Sequence, residues 1–380
     1  MYIPVIYYHS IAPQKNPGWI KNYLTLELEF FEAQIKFLYD NNYQTIFLDE
    51  YFELVKDRKH HKKKYVCITF DDGFVDNWIY AFPILQKYNF KATIFVSPEF
   101  IDLKSSVRKT LNDYWNGRAT IDSIKKWGYL SWEEMSVMEA TGLIDIQSHT
   151  MSHAELFTSE RIVDFHHPGS QFLYPIGNLF PEKKPYYIED VGFEKLLPYG
   201  YPFFEYTSSV IARKVEINPD FIADVVEGLK GTNWDSPYKF DDLRRQIEPL
   251  YLDYLEREQV VLKKETDQEY DDRLMYELKS SKDLIEAKLK KQVNYLCWPN
   301  DDYNDYTHMR AKEIGYKGSV VVLGKNKKCA SDRFDRISIA SMRKDKLTSK
   351  VKAKMKIKGY HTTFPINYIY AAMQKNNKGY

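Results

Sequence analysis

Six short runs of this chain, residues 2–8, 65–70, 92–96, 143–148, 295–298 and 319–323, are mostly apolar on both faces, and amphipathic segments separate several of them. A strand with two apolar faces cannot lie at a surface. It belongs in a parallel sheet whose faces are covered by crossover helices. The pattern therefore restricts the chain to α/β architectures, either a barrel or an open wound sheet. Phe30, Ile35 and Leu38 mark the apolar stripe of one crossover helix, while Ser131 and Glu134 make a capping box that opens another, which Gly142 ends. The alternation breaks after about residue 155 and resumes near residue 280. Between these points lie a Pro/Tyr/Gly-rich stretch and a charged helical stretch with Leu243, Ile247, Leu250 and Tyr254 on one stripe. The expectation is a barrel or sheet built from residues 1–154 and 276–380, interrupted by an α-rich, Pro/Tyr-rich insertion over 155–275.

The charge balance removes one class of partner. Lys and Arg number 54 against 53 Asp and Glu, a net charge of +1, which supplies no field to hold a phosphate backbone and excludes nucleic acid as the main partner. The basic run 56–64 precedes a buried-looking strand and reads as a solvated loop. Cys67, Cys297 and Cys329 are too few and too scattered for a disulfide framework or a thiolate metal site, and read as core thiols. The first residues lack a charged region followed by an apolar one, and no later window is long and apolar enough to span a bilayer, so a cytoplasmic chain without a membrane span is expected. Oligomeric state is not legible. The 31 Tyr, 22 Phe and 7 Trp exceed ordinary usage; core packing takes most of them, and stacking on sugar rings is the other use of such flat faces.

The chemistry concentrates at strand ends. The run Cys67-Ile68-Thr69-Phe70 leads directly into Asp71-Asp72-Gly73, placing two carboxylates where a buried strand emerges, with Gly73 permitting a sharp turn. Adjacent carboxylates suit a divided task, in which one binds a cation and its neighbour takes a proton from water. A second rim follows residues 144–148, where His149-Thr150-Met151-Ser152-His153 sets two imidazoles four residues apart. With nine His in the chain the spacing is weak by itself, but both clusters follow strands. Together Asp72, His149 and His153 form an open three-ligand set that fits Zn²⁺, with Fe²⁺, Co²⁺ and Mn²⁺ as alternatives.

Thr69-Phe70-Asp71-Asp72-Gly73, Lys91-Ala92-Thr93-Ile94-Phe95-Val96 and Ser148-His149-Thr150-Met151-Ser152-His153 together resemble the NodB-homology polysaccharide deacetylases, carbohydrate esterase family four. The opening Ile3-Pro4-Val5-Ile6-Tyr7-Tyr8-His9-Ser10, with Ser281-Lys282, Trp298-Pro299, Tyr303-Asn304 and Gly315-Tyr316, is similar to the branch that de-N-acetylates biofilm polysaccharides. The resemblance covers roughly residues 1–154 and 278–340. It implies a distorted (β/α) barrel of fewer than eight strands and metal-dependent removal of an N-acetyl group from a sugar in a polysaccharide or glycan precursor. It also implies Asp71 as general base, Asp72, His149 and His153 as metal ligands, and the Asn300 backbone N–H as oxyanion donor. Thr150, which would also support the histidine loop, and Trp298, Pro299 and Tyr303 are its implied substrate-side residues.

The chain departs from the family pattern in three places. Asn300 and Asp301 follow Pro299 where the family has an aromatic residue and Gly. Cys297 stands where many members carry an arginine that orients the base, and the Leu-x-His segment that supplies a proton to the leaving amine is missing, leaving His308 and His361 without a spacing argument. Two other readings follow: hydrolysis of a different ester or amide by the same ligands, or a degenerate carbohydrate-binding protein. The insertion starts directly after His153, so it leaves the barrel at the rim and reads as a lid or a substrate subsite; Tyr174, Tyr199, Tyr201, Phe203, Phe204 and Tyr206 are its candidate stacking faces, or else its own small core.

Overall fold

The structure is a computed structural model that describes residues 3–56, 63–104, 106–170, 173–189, 193–322 and 332–338. Most of the basic run 56–64, Cys329 and His361 lie outside the described residues.

Seven parallel strands close into a barrel. Around the ring the order is Val5–Tyr8, Arg333–Ser338, Gly318–Val322, Tyr295–Cys297, Ile144–Ser148, Ala92–Val96 and Lys64–Phe70. Closure rests on Val5–Tyr8, which pairs Tyr8 with Phe70 on one side and Val5 with Arg336 on the other. An eighth strand, Tyr43–Thr45, extends the sheet outside the ring by pairing with Lys64–Phe70. The six expected runs are all barrel strands. Tyr43–Thr45 and Arg333–Ser338 were not expected: the first has three residues, and the second reads RFDRIS, too charged to look buried.

The crossover helices form for the reasons their sequences give. Leu28–Asp40 turns Phe31, Ile35 and Leu38 fully inward, with Phe30 half-buried beside them. Trp132–Ala140 starts at a complete capping box, in which Ser131 Oγ accepts from the Glu134 backbone N–H at 3.2 Å and Glu134 Oε2 accepts from that of Ser131 at 3.0 Å. Caps of this kind contribute about 1 kcal/mol.

Between the fourth and fifth ring strands in the chain, the polypeptide forms a long antiparallel hairpin from Glu155–Phe165 and Pro202–Ser208, a second pair from Val215–Ile217 and Val261–Lys264, and helices Pro219–Gly228, Phe240–Gln246 and Glu248–Glu256. The hairpins join the helices the sequence led us to expect. Phe165, Phe204, Phe221, Leu243, Ile247 and Tyr254 make a core there, with Leu250 packed at its edge. Tyr201 and Phe203 join Trp19, Phe74, Phe100 and Tyr129 in a cluster that seats this segment on the barrel rim. Tyr201, Phe203 and Phe204 are therefore core residues, not stacking faces; Tyr206 and Tyr199 keep partial exposure, and the Tyr174 side chain lies outside what is described. Among the described residues no helix is long and apolar enough to cross a membrane.

Candidate active site

Asp71 and Asp72 leave the barrel at the carboxyl end of Lys64–Phe70. Asp72 and Gly73 both take positive φ, 70° and 69°, and a Cβ on Gly73 would stand 2.8 Å from Val96 Cγ1, so the turn needs glycine there. His149 follows Ile144–Ser148, and its backbone N–H extends the ladder to Val96 O at 2.9 Å. The chain then coils through Thr150 (φ 66°) to His153 (φ 44°). Glu277, from the helical segment Tyr276–Ser280, accepts from the backbone N–H groups of Met151 and Ser152 at 3.1 and 3.0 Å and from Ser152 Oγ, pinning the loop from beneath.

This backbone brings the three predicted ligands together. Asp72 Oδ1 lies 3.2 Å from His149 Nε2 and 3.6 Å from His153 Nε2. Two ligand atoms each about 2.0–2.1 Å from a tetrahedral cation stand roughly 3.3 Å apart, so the set fits a small divalent ion. His149 Nδ1 lies 2.8 Å from the Cys297 carbonyl, a bond in which only N–H can donate, so Nε2 is the ring nitrogen turned toward Asp72. Burial would push the Asp72 carboxyl up, but its hydrogen bond with His149 and the imidazoles of His153 and His9 beside it hold it well below the usual range. Burial, reinforced by His149, pushes His153 down to about 3, so its imidazole is neutral as a ligand must be. Burial also lowers His149, and its neighbours, Asp72 among them, outweigh that and raise it. Cys297 adds little to that rise, because burial pushes its thiol up and keeps it uncharged.

Asp71 is held differently. Arg336 Nη1 donates to its Oδ1 at 2.6 Å, both groups being almost wholly buried, and its Oδ2 faces His9 Nε2 at 3.8 Å. Burial pushes the carboxyl up, and the Arg336 charge, with His9 and His149, more than reverses this. Arg336 Nη2 also reaches Cys297 Sγ at 3.2 Å. Asp71, His149 and Cys297 are close enough to be a second ligand group, but the guanidinium already takes the cation's place beside two of them.

A cleft of about 150 Å³ joins Asp71, Asp72, His149 and His153 to Trp298, Asn300, His9, Lys21, Tyr23 and Arg336. Trp298 is buried against Tyr303 with ring centroids 5.8 Å apart, and Tyr303 stands behind it, away from the cleft. Pro299 is buried in the turn, and Thr150 is wholly buried under the histidine loop, so neither lines the cleft. His308 faces Asp332 at 3.4 Å and also lies off the cleft. A larger cavity, about 320 Å³ between His167, Trp234 and Tyr238, contains none of the predicted site residues.

Sequence reading missed three groups. His9 directly follows a ring strand, and the rule that singled out Asp71 would have found it. Arg336 could be suspected only as an arginine between Phe334 and Ile337 in a strand-like run. Glu277 carried no local signal.

Residues 58–168, which include Asp71, Asp72, His149 and His153, match the family model for polysaccharide deacetylases. The Bacillus subtilis (strain 168) protein YxkH, itself assigned as a polysaccharide deacetylase, is 32% identical over 189 residues, 46% of this chain and 57% of that protein. A Staphylococcus epidermidis poly-beta-1,6-N-acetyl-D-glucosamine N-deacetylase is 32% identical over 133 residues, 34% of this chain and 38% of that one. The aligned part thus spans less than two thirds of either relative. A de-N-acetylase from Aggregatibacter actinomycetemcomitans shares the fold, with a TM-score of 0.53 at 16% identity over 93% of this chain and 100% of that one.

Proposed function

We propose, from the premise that this chain carries a domain of the polysaccharide deacetylase family, that it hydrolyses the N-acetyl group of an N-acetylated sugar in a glycan, with a divalent cation held by Asp72, His149 and His153. The observation that carries this reading is the pairing of that ligand set with a separate, arginine-held carboxylate at Asp71 in one cleft. Zn²⁺ suits two imidazoles and one carboxylate, and Fe²⁺, Co²⁺ or Mn²⁺ could serve in its stead. When bound, the cation supplies Lewis-acid polarisation of the acetyl carbonyl and of the attacking water.

The chain's own groups do the rest. Asp71 takes a proton from water through Oδ2, since Oδ1 is engaged by Arg336. Asn300 lines the cleft, and its backbone N–H is the donor we assign to the developing oxyanion. His9, 3.8 Å from Asp71 Oδ2, is placed to pass that proton to the departing amine, so that acetate and a free amino sugar leave. This gives the proton donor a location that His308 does not have.

Acetate release from a panel of N-acetylated glycans, with and without a chelator, tests the function. No release from any of them by cation-loaded protein would end it, and release from esters alone would favour the broader hydrolase.

Arg336→Met gives a narrower expectation. Removing the guanidinium leaves the Asp71 carboxylate buried and unpaired, so its pKa rises from a value now held below the ordinary one. The base is active when ionised, so the acid limb of the pH–rate profile should move to higher pH. Breaking the buried pair should also cost stability, roughly 3–5 kcal/mol. An unmoved acid limb would separate Arg336 from the base.

A further inference from the structure

We propose that Glu155, the first residue of the inserted hairpin, is a positioning residue for the turn that presents the oxyanion donor; this rests on the deacetylase reading above. The turn Pro299–Asp301 carries two non-glycine residues at positive φ, Asn300 at 53° and Asp301 at 56°. Left-handed backbone costs roughly 1–2 kcal/mol for a residue with a Cβ, although Asn tolerates it best, so something must hold the turn. Its far side is held from the barrel. The Asp301 carboxylate accepts from the Val322 backbone N–H at 3.1 Å, and the Asp301 backbone N–H donates to Trp298 O at 3.1 Å. Its cleft side is held from the insertion, where Asn300 Nδ2 donates to Glu155 Oε1 at 3.1 Å.

An exposed hydrogen bond positions nothing unless its acceptor is itself fixed. Glu155 is fixed. It pairs with Ser208 across the hairpin, its carbonyl accepts from Asn178 Nδ2 at 2.5 Å, and the neighbouring Ala154 carbonyl accepts from the Ser209 backbone N–H at 2.8 Å. It also lies two residues beyond His153, so the segment carrying a ligand and the segment gripping the turn are one stretch of chain. Where the family uses an aromatic residue and glycine, this chain holds a costlier turn from outside with one carboxylate. The insertion thus reaches the reaction through Glu155, in addition to whatever substrate it covers.

The test is steady-state acetate release by cation-loaded Glu155→Ala, Glu155→Gln, Asn300→Ala and the double variant, with crystal structures of wild type and Glu155→Ala. Misplacing an oxyanion donor lowers kcat by about 10- to 100-fold, and that loss is expected for Glu155→Ala with KM and metal content unchanged. Gln keeps the acceptor and should recover most of the loss, which a requirement for charge would not allow. In the Asn300→Ala background, Glu155→Ala should add nothing, because the two act through one hydrogen bond. Unchanged kcat in Glu155→Ala, or an equal further loss in the Asn300→Ala background, overturns the inference. If wild type releases no acetate the deacetylase reading fails, and the structures then decide about the turn: unmoved φ values at Asn300 and Asp301 in Glu155→Ala reject the positioning role.

Discussion

Replacing Asp71 by Asn is expected to leave the cation bound and to lower turnover by roughly two to four orders of magnitude, the range lost with a general base. The two halves of that result come from different contacts. Asp71 is not among the three groups around the proposed ion position, whose spacings run from Asp72 Oδ1 to the two imidazoles, so occupancy should not depend on it. Its Oδ1 is taken by Arg336 and its Oδ2 looks toward His9, so it is the carboxylate with an oxygen left for water. Asn keeps the shape and removes the basic oxygen. The substitution also leaves the Arg336 guanidinium buried beside a neutral amide, so melting temperature should be followed with metal content and kcat to separate lost chemistry from lost fold. Loss of metal from this variant would make Asp71 a ligand, and retained turnover would take the base away from it.

The second large effect is loss of the ion itself. His149→Ala or His153→Ala leaves two protein ligands of three, and the described residues around the cleft offer no histidine or carboxylate in the right place to substitute: His9 is directed at Asp71, and Cys297 is capped by Arg336. Metal content by elemental analysis should fall by more than the roughly 10- to 100-fold change in affinity that removing an outer-shell partner causes. Acetate release should fall with it. Full occupancy in both variants would remove the proposed centre altogether, whatever happened to activity.

How much of this the sequence carried can be followed residue by residue. Six of the seven ring strands were legible because two apolar faces are a local property, and so was the Ser131–Glu134 cap, which needs only a three-residue spacing. Asp72, His149 and His153 were legible as candidates for the same reason: each follows the end of a recognisable buried strand, and parallel strands in a barrel deliver such ends to one rim. The Asn300 turn was legible as a departure, without its geometry. The hairpin Glu155–Phe165 was not, because its residues are only partly buried and its ladder is irregular, which blurs the alternation.

The environment of each site residue was a tertiary decision. Cys297 stands where the family's arginine was sought, yet a guanidinium still holds Asp71, delivered by Arg336 from the last described strand of the ring, 265 residues away. Nothing local to either residue encodes that meeting. It follows from closure of the barrel, in which Val5–Tyr8 pairs on both sides and so carries Arg336 and Asp71 to the same rim. Glu277 beneath the histidine loop and Glu155 beside Asn300 come together in the same way, through packing across large sequence separations. By itself the sequence determined which groups emerge at strand ends, since that depends on short-range periodicity and turn chemistry. Only the tertiary structure decided which of them is paired, ionised or left open to substrate, since those properties depend on which distant strand the register sets alongside.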